Sequence, residues 1–210
     1  MKGREGYVFP MLTFYHCPGT RSGSIHWLLE ELGVPYETEI VDVREGAPES
    51  YRAIQPNRKV PAIVHDGVTV HERSAICIYL CDAFPAAGLA PPIGDPRRGP
   101  YLSWLAYNDG VIDPVIAAKF GGWEYDKRGV SFGVFEDMVQ NLNETLAAQP
   151  FLTGEAFTAA DLLVAGGVNF AVRFTKAIPE TPAITGFLGR VLSREAFSRA
   201  AAKDQALQNG

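Results

Sequence analysis

The stretch that decides the fold is RKVPAIVHDGVTVHERSAI, residues 58–76. Alternating apolar runs flank Asp66-Gly67, and this arrangement predicts a β-hairpin with a tight turn. Pro61 stands at the mouth of the first strand, where a proline removes a donor from the sheet. We therefore expect a cis peptide bond before Pro61. That geometry turns the chain and leaves the backbone N–H and C=O of Val60 free for a peptide-like ligand.

The second strand of the hairpin leads into Glu72-Arg73-Ser74, the start of a predicted helix. The first backbone N–H groups of a helix point outward and favour an anion. Arg58 and Lys59 lie a short distance upstream and, with Arg73, supply local positive charge. A free strand backbone beside a helix N-terminus predicts a site for a small acidic peptide.

The composition is that of a globular chain, with 47% apolar and 20% charged residues among 210. No run approaches the length of a membrane span, and the N-terminus lacks the apolar core of a secretory signal. We therefore expect a cytoplasmic protein without a membrane partner. The net charge of −5 makes nucleic acid an unsuitable partner. Three cysteines do not suit a disulfide framework, and four scattered histidines without paired ligand spacing predict no metal site.

Residues 11–88 predict a small sheet with helices packed on it, in the order β-α-β-α-β-β-α, after a loose extension at residues 1–10. Besides the hairpin, this region holds predicted strands and helices at residues 11–16, 37–43, 24–32 and 74–84. Gly33 is expected to end the first of these helices. Cys77 and Cys81 stand four positions apart among aliphatic residues and are expected to be buried.

Residues 86–100 are dense in Gly and Pro and predict a linker, whereas residues 97–210 predict an all-α helical bundle. Apolar residues at helical spacing indicate helices around residues 102–106, 135–146 and 187–192. Thr158 and Asp161 form a capping-box pattern, which predicts the start of another helix.

Four segments, taken in this order, resemble the glutathione S-transferase family, and bacterial-type members above all. They are residues 14–37 with FYH and LLEELGVPYE, residues 56–62 with PNRKVPA, residues 72–80 with ERSAICIYL, and residues 157–161 with FTAAD. The resemblance covers nearly the whole chain after Pro10. It implies an α/β thioredoxin-like N-terminal domain at residues 11–88, an all-α C-terminal domain at residues 97–210, and a homodimer.

The resemblance also implies glutathione as a co-substrate, without another cofactor, and a small hydrophobic electrophile as the second substrate. The glutathione-binding residues that it implies are Arg58, Lys59, Val60, Pro61, Glu72 and Arg73. The surface facing the electrophile would carry Trp104, Tyr107, Phe120 and Trp123. One departure concerns the Glu-Ser pair of the family, which is Glu72-Arg73 here. The serine hydroxyl is lost, but the backbone N–H of residue 73 remains.

Activation of the glutathione thiol needs a hydrogen-bond donor and positive potential. Donors between the first strand and the first helix, where the helix dipole also favours a thiolate, are Tyr15, Cys17, Thr20 and Ser22. Counting back from Gly33 places Thr20 where serine-using members of the family have their hydroxyl. The same count places Arg21 where beta-class members have a cysteine. Cys17-Pro18 is similar to the omega-class pair but is followed by a longer loop, Ser22 also suits a helix cap, and Tyr15 also suits the core.

The resemblance thus favours a detoxifying enzyme that conjugates glutathione to small electrophiles. Two alternatives remain at this point: a glutathione-dependent thiol–disulfide reductase using Cys17, and a non-catalytic protein that binds glutathione or acts as a scaffold. A mixed disulfide at Cys17 would distinguish the reductase. Glutathione affinity would distinguish the scaffold.

Overall fold

The computed structural model describes residues 11–209, so the expected extension at residues 1–10 lies outside the described residues. The first half of the chain forms a four-stranded sheet in the order β2-β1-β3-β4. β1 pairs in parallel with β2 and antiparallel with β3, which pairs antiparallel with β4. The strands are β1 Leu12–His16, β2 Glu37–Ile40, β3 Ala62–His65 and β4 Val68–His71.

Local signals in the sequence account for the hairpin and for the end of the first helix. Asp66 and Gly67 both have positive φ angles, 49° and 82°, as the two central residues of a type I′ turn require. Helix α1 spans Gly23–Leu32 and ends at Gly33, whose φ of 65° is left-handed. Both predictions are confirmed.

The expected element order of the first half is confirmed, with a 3-10 helix at Glu49–Ala53 between β2 and β3. β2 ends at Ile40, three residues earlier than predicted. The reason is the turn that follows, in which Asp42 Oδ1 accepts the backbone N–H of Arg44 at 2.9 Å. An Asp side chain that bonds the backbone two residues ahead stabilises a turn at the expense of a strand.

The second half of the chain is helical, which confirms the expected fold class of a thioredoxin-like domain joined to an all-α bundle. A π-helical turn at Asn108–Ile112 separates α3 from α4. The remaining helices are α2 Arg73–Ala83, α3 Arg98–Tyr107, α4 Asp113–Gly121, α5 Phe135–Ala148, α6 Ala159–Arg173, α7 Pro182–Leu192 and α8 Glu195–Asn209. No helix within residues 11–209 is long and apolar enough to cross a membrane.

Helix α6 runs through the centre of the bundle and begins with the predicted capping box. The Asp161 carboxylate accepts the backbone N–H of Thr158 at 2.8 Å and that of Leu152 at 2.7 Å. Asp161 is fully buried, and burial raises its pKa. One apolar core extends from the sheet through α1, α2 and α6 to α7. Cys77 and Cys81 are buried in it, as expected.

Helix α8 has no strong apolar stripe and packs on α1 largely through charge. Glu30, a buried residue of α1, contacts Nζ of Lys203 at 2.5 Å and Nε of Arg199 at 3.1 Å. The Tyr36 hydroxyl donates to the same carboxylate at 2.6 Å. Burial raises the pKa of Glu30, but these hydrogen bonds lower it more, so the net pKa is below its ordinary value.

Candidate functional site

A cavity of about 200 Å³ lies where the hairpin, the loop before α1, the start of α2 and the α3–α4 junction meet. Both halves of the chain therefore contribute to it. Its lining residues are Arg21, Gln55, Lys59, Val60, Pro61, Glu72, Arg73, Asp109 and Asp113. The structure thus brings together five of the six residues expected to bind glutathione.

The hairpin side of the cavity presents free backbone groups. The Val60–Pro61 peptide bond is cis, as the sequence predicts. Two side chains fix the backbone of Lys59, the residue before Val60. Gln55 Oε1 accepts the Lys59 N–H at 3.1 Å, and the Tyr51 hydroxyl donates to the Lys59 carbonyl at 3.0 Å. The backbone N–H and C=O of Val60 bond to no other residue within 11–209. They are available to an extended peptide, which can pair with them as a strand does.

The start of α2 forms the opposite wall and is conformationally unusual. Glu72 has φ 70° and ψ 127°, a combination that costs an L-residue of order 1–3 kcal/mol. Gln55 Nε2 donates to its carboxylate at 3.4 Å. A carboxylate held at the cavity wall is a suitable partner for an ammonium group.

The α2 N-terminus already holds an anion supplied by the protein itself. The carboxylate of Asp109 accepts the Ser74 N–H at 3.0 Å and contacts Arg73 Nη2 at 2.7 Å. Asp113 contacts the same Nη2 at 2.9 Å. Because the buried Arg73 guanidinium is neutralised by these two carboxylates, the charge expected to attract a ligand is used within the protein. The backbone N–H of Arg73 bonds to no other residue of the described part.

The remaining charges are distributed so that one cation is available to a ligand carboxylate. Arg21 donates from Nε to Asp113 Oδ1 at 2.8 Å. Lys59 is exposed and makes no ion pair with any residue from 11 to 209. Arg58, also expected to bind glutathione, does not line the cavity, because its guanidinium contacts Glu49 at 3.2 Å and the Ala47 carbonyl at 3.2 Å.

The aromatic residues expected to face an electrophile do not line this cavity. Trp104 and Tyr107 pack edge to face on α3, with ring centroids 5.3 Å apart. Phe120 lies in the last turn of α4 and is 70% exposed. Trp123 follows the end of that helix and is 61% exposed.

The four thiol-activating candidates lie in different environments. Ser22 is fully buried, and its Oγ contacts Nδ1 of His16 at 2.8 Å and Oγ1 of Thr20 at 2.8 Å. Thr20 is only partly buried, donates to the Cys17 carbonyl at 2.7 Å, and precedes the cavity residue Arg21. Thr20 itself does not line the cavity, but of the two candidates next in sequence to the lining residue Arg21, Thr20 and Ser22, it is the less buried.

Cys17 and Tyr15 contact residues outside the cavity. Cys17 is buried, and Nη1 of Arg44 lies 3.6 Å from its Sγ. The ring of Tyr15 packs against Tyr51 at a centroid distance of 5.5 Å and lines a separate groove beside β2.

Several residues at or near the site carried no sequence signal. Gln55 reaches the cavity from the loop before the hairpin, and Asp109 and Asp113 reach it because the α3–α4 junction packs against the hairpin. His16, His26 and Asp204 bring metal-ligand atoms within 4.8 Å of one another, a cluster that linear histidine spacing does not reveal. Within this cluster, His16 Nε2 lies 2.6 Å from Asp204 Oδ1.

Comparison with known proteins agrees with this geometry. A model of the glutathione S-transferase N-terminal domain matches residues 21–83, and a model of the C-terminal domain of the same family matches residues 134–195. The two matches together cover more than half of the chain. The chain belongs to the glutathione S-transferase family.

Individual members of the family share moderate identity with this chain. Glutathione S-transferase 3 of Schizosaccharomyces pombe is 28% identical over 72% of the chain and 70% of its own length. The disulfide-bond oxidoreductase YfcG of Escherichia coli K12 is 28% identical over 93% of the chain and 96% of its own length. A sphingomonad glutathione S-transferase, solved in complex with glutathione, has a TM-score of 0.75 and 28% identity over 92% of this chain and 98% of its own. Family membership therefore indicates a glutathione-related enzyme, and relatives differ in the reaction that they catalyse.

Proposed function

We propose that this protein is a glutathione transferase that conjugates the glutathione thiolate to small hydrophobic electrophiles. The observation that carries the proposal is the cavity itself. Around a volume of about 200 Å³, beside the loop that holds Thr20, lie the Glu72 carboxylate, the backbone of Val60 and the side chain of Lys59, the last two without a partner within residues 11–209. A solved relative of the same fold holds glutathione.

The cavity offers a complementary group for each part of glutathione. The backbone of Val60 pairs with the cysteinyl peptide unit, and Lys59 binds the glycine carboxylate. Glu72 receives the α-ammonium group of the γ-glutamyl end. The backbone N–H of Arg73, at the first turn of α2, binds the neighbouring carboxylate.

Thr20 supplies the thiol activation in this proposal. Its hydroxyl donates a hydrogen bond to the thiolate, and the N-terminal end of α1 adds positive potential. The thiol proton passes to solvent. The sulfur then forms a bond to the electrophilic carbon, whose leaving group departs or whose π bond takes up the electron pair.

A second candidate is glutathione-dependent disulfide reduction, which the similarity to the Escherichia coli oxidoreductase favours. The guanidinium of Arg44 also places a positive charge beside the Cys17 sulfur, with Nη1 3.6 Å from Sγ. The burial of Cys17 opposes it, because a mixed disulfide needs access to the sulfur.

The test combines binding and turnover on the purified chain. Calorimetry should show glutathione binding, a panel of aryl halides and enones should reveal conjugation, and Cys17→Ser should retain that activity. Three results together would favour the reductase. Oxidised glutathione would form a mixed disulfide at Cys17, Cys17→Ser would lose disulfide exchange, and the chain would conjugate no electrophile. Absence of glutathione binding would contradict both candidates.

A further inference from the structure

A line of polar side chains connects the C-terminal helix α8 to the loop that carries Thr20. Asp204 places Oδ1 2.6 Å from Nε2 of His16, the last residue of β1. The other ring nitrogen, Nδ1, lies 2.8 Å from Oγ of Ser22. That oxygen in turn lies 2.8 Å from Oγ1 of Thr20. His16 and Ser22 are completely buried, so solvent does not interrupt the middle of this line.

The carboxylate end determines where the first proton lies. Burial raises the pKa of Asp204, but the close imidazoles of His16 and His26 and the hydrogen bond from the Gly19 N–H lower it more, to well below its ordinary range. Asp204 is therefore an acceptor only. The His16 Nε2 atom carries a proton, because two lone pairs 2.6 Å apart would repel. This short contact is not aligned as a hydrogen bond, and Nε2 makes no other one within residues 11–209.

Two proton arrangements are then open to the rest of the line. If His16 Nδ1 is bare, it accepts the hydroxyl proton of Ser22. If Nδ1 carries a proton, it donates to Ser22 Oγ, and the Ser22 hydroxyl then donates to Thr20 Oγ1. In the second arrangement the Thr20 proton is free to leave the Cys17 carbonyl for an anion in the cavity. The carboxylate of Asp204 favours this arrangement, because its negative charge lies 2.6 Å from the ring that then holds both protons.

We propose that Asp204 and His16 are positioning residues, which orient the Ser22 and Thr20 hydroxyls so that Thr20 donates its hydrogen bond to the thiolate of bound glutathione. The inference rests on the proposed function, in which Thr20 is the donor. The thiol proton still goes to solvent, and no bond other than hydrogen bonds changes along the line. Aligned hydrogen bonds polarise one another, so the orientation set at His16 carries through Ser22 to the donor at the far end.

A bound metal ion is the competing use of the same side chains. His26 Nδ1 also lies 3.3 Å from Asp204 Oδ1, which gives two imidazoles and one carboxylate. At ordinary bond lengths the ligand atoms of a tetrahedral zinc lie roughly 3.3 Å apart. The 2.6 Å contact between His16 and Asp204 is shorter than that and leaves no room for an ion between them.

The deciding experiment titrates the ultraviolet absorbance of the bound glutathione thiolate against pH in wild type, Asp204→Asn, Ser22→Ala, Thr20→Val and the double variant Thr20→Val with Asp204→Asn. Asp204→Asn should raise the pKa of the bound thiol by about one unit and lower conjugation at neutral pH about tenfold. Glutathione affinity should change by less than about threefold. Ser22→Ala interrupts the same line with a smaller side chain and should give the same shift.

The matched control is Glu30→Gln, which weakens the attachment of α8 to α1 without touching the line. It should leave the pKa of the bound thiol unchanged. The proposal is overturned if Glu30→Gln shifts that pKa as much as Asp204→Asn does, or if neither Asp204→Asn nor Ser22→Ala shifts it. It is also overturned if a chelator alone reproduces the shift, because a metal would then be responsible.

The double variant separates this inference from the proposed function. In the Thr20→Val background, Asp204→Asn should have no further effect on the thiol pKa. A full additional shift there would show that Asp204 acts by another route. If Thr20→Val shifts the thiol pKa and Asp204→Asn does not, the positioning role of Asp204 is contradicted, whereas the proposed function is not. If wild type itself neither binds glutathione nor lowers its thiol pKa, the proposed function fails.

Discussion

Replacing Glu30 by Gln should weaken the attachment of α8 and reduce the stability of the whole chain. The carboxylate accepts hydrogen bonds from Lys203, Arg199 and Tyr36 within 3.1 Å. Each charged hydrogen bond contributes about 1.5–3 kcal/mol. The two cationic side chains are about half exposed, 51% and 52%, and regain water when released. The net loss should therefore be about 2–3 kcal/mol, well below the sum of the three.

The pH dependence of this loss has a definite sign. The folded-state pKa of Glu30 is lowered, so its contribution is fully present above the ordinary pKa of about 4.3. That contribution disappears as the pH falls through the folded-state value. The stability difference between wild type and Glu30→Gln should hence be constant above about pH 5 and shrink in more acidic solution.

Urea unfolding across that pH range measures the difference, and calorimetry should show the melting temperature of Glu30→Gln lowered by roughly 4–12 °C at neutral pH. Asp126→Asn is the matched control, because its partner Arg128 is 86% exposed and the pair should contribute nothing measurable. A Glu30→Gln protein as stable as wild type at neutral pH, or a difference that grows in acid, would refute the reasoning.

Three further predictions follow from the structure. Lys59→Gln should weaken glutathione binding about five- to twentyfold and flatten its salt dependence, as calorimetry at two ionic strengths would reveal, because one charge-assisted contact to the ligand carboxylate is lost; an unchanged affinity would exclude that contact. Asp161→Ala should destabilise the chain by about 3–5 kcal/mol in urea unfolding, since the N–H groups of Thr158 and Leu152 lose their acceptor; a loss below about 1 kcal/mol would contradict a stabilising capping box. Sedimentation at micromolar concentration should show a homodimer, the state expected from the family, and a species of 22.9 kDa would contradict it.

Local signals made much of the fold predictable from the sequence. Asp66-Gly67 and Gly33 act through backbone conformations that the residues themselves favour, and Thr158 with Asp161 acts within one turn of helix. By contrast, the prediction of an all-α bundle over residues 97–210 does not single out α8, because its polar and alanine-rich sequence has no apolar stripe. What fixes α8 is Glu30, which lies on a helix near the other end of the chain.

The candidate site was predictable where its parts are contiguous in sequence. Lys59, Val60 and Glu72 lie within one hairpin and the helix that follows, so their proximity was readable from the pattern. Asp109 reaches the α2 N-terminus only through the packing of the second half on the first. No pattern in the sequence showed that this carboxylate would occupy part of the α2 N-terminus, at the backbone N–H of Ser74.

The central claim is that this chain binds glutathione and activates its thiol through Thr20. The most direct test is the absorbance of the bound thiolate, titrated in wild type and in Thr20→Val. Wild type should ionise the bound thiol at least one unit below the ordinary thiol pKa of about 8.5, and Thr20→Val should return it by about one to two units. A bound thiol that titrates like free glutathione, or a shift that survives intact in Thr20→Val, would contradict the account.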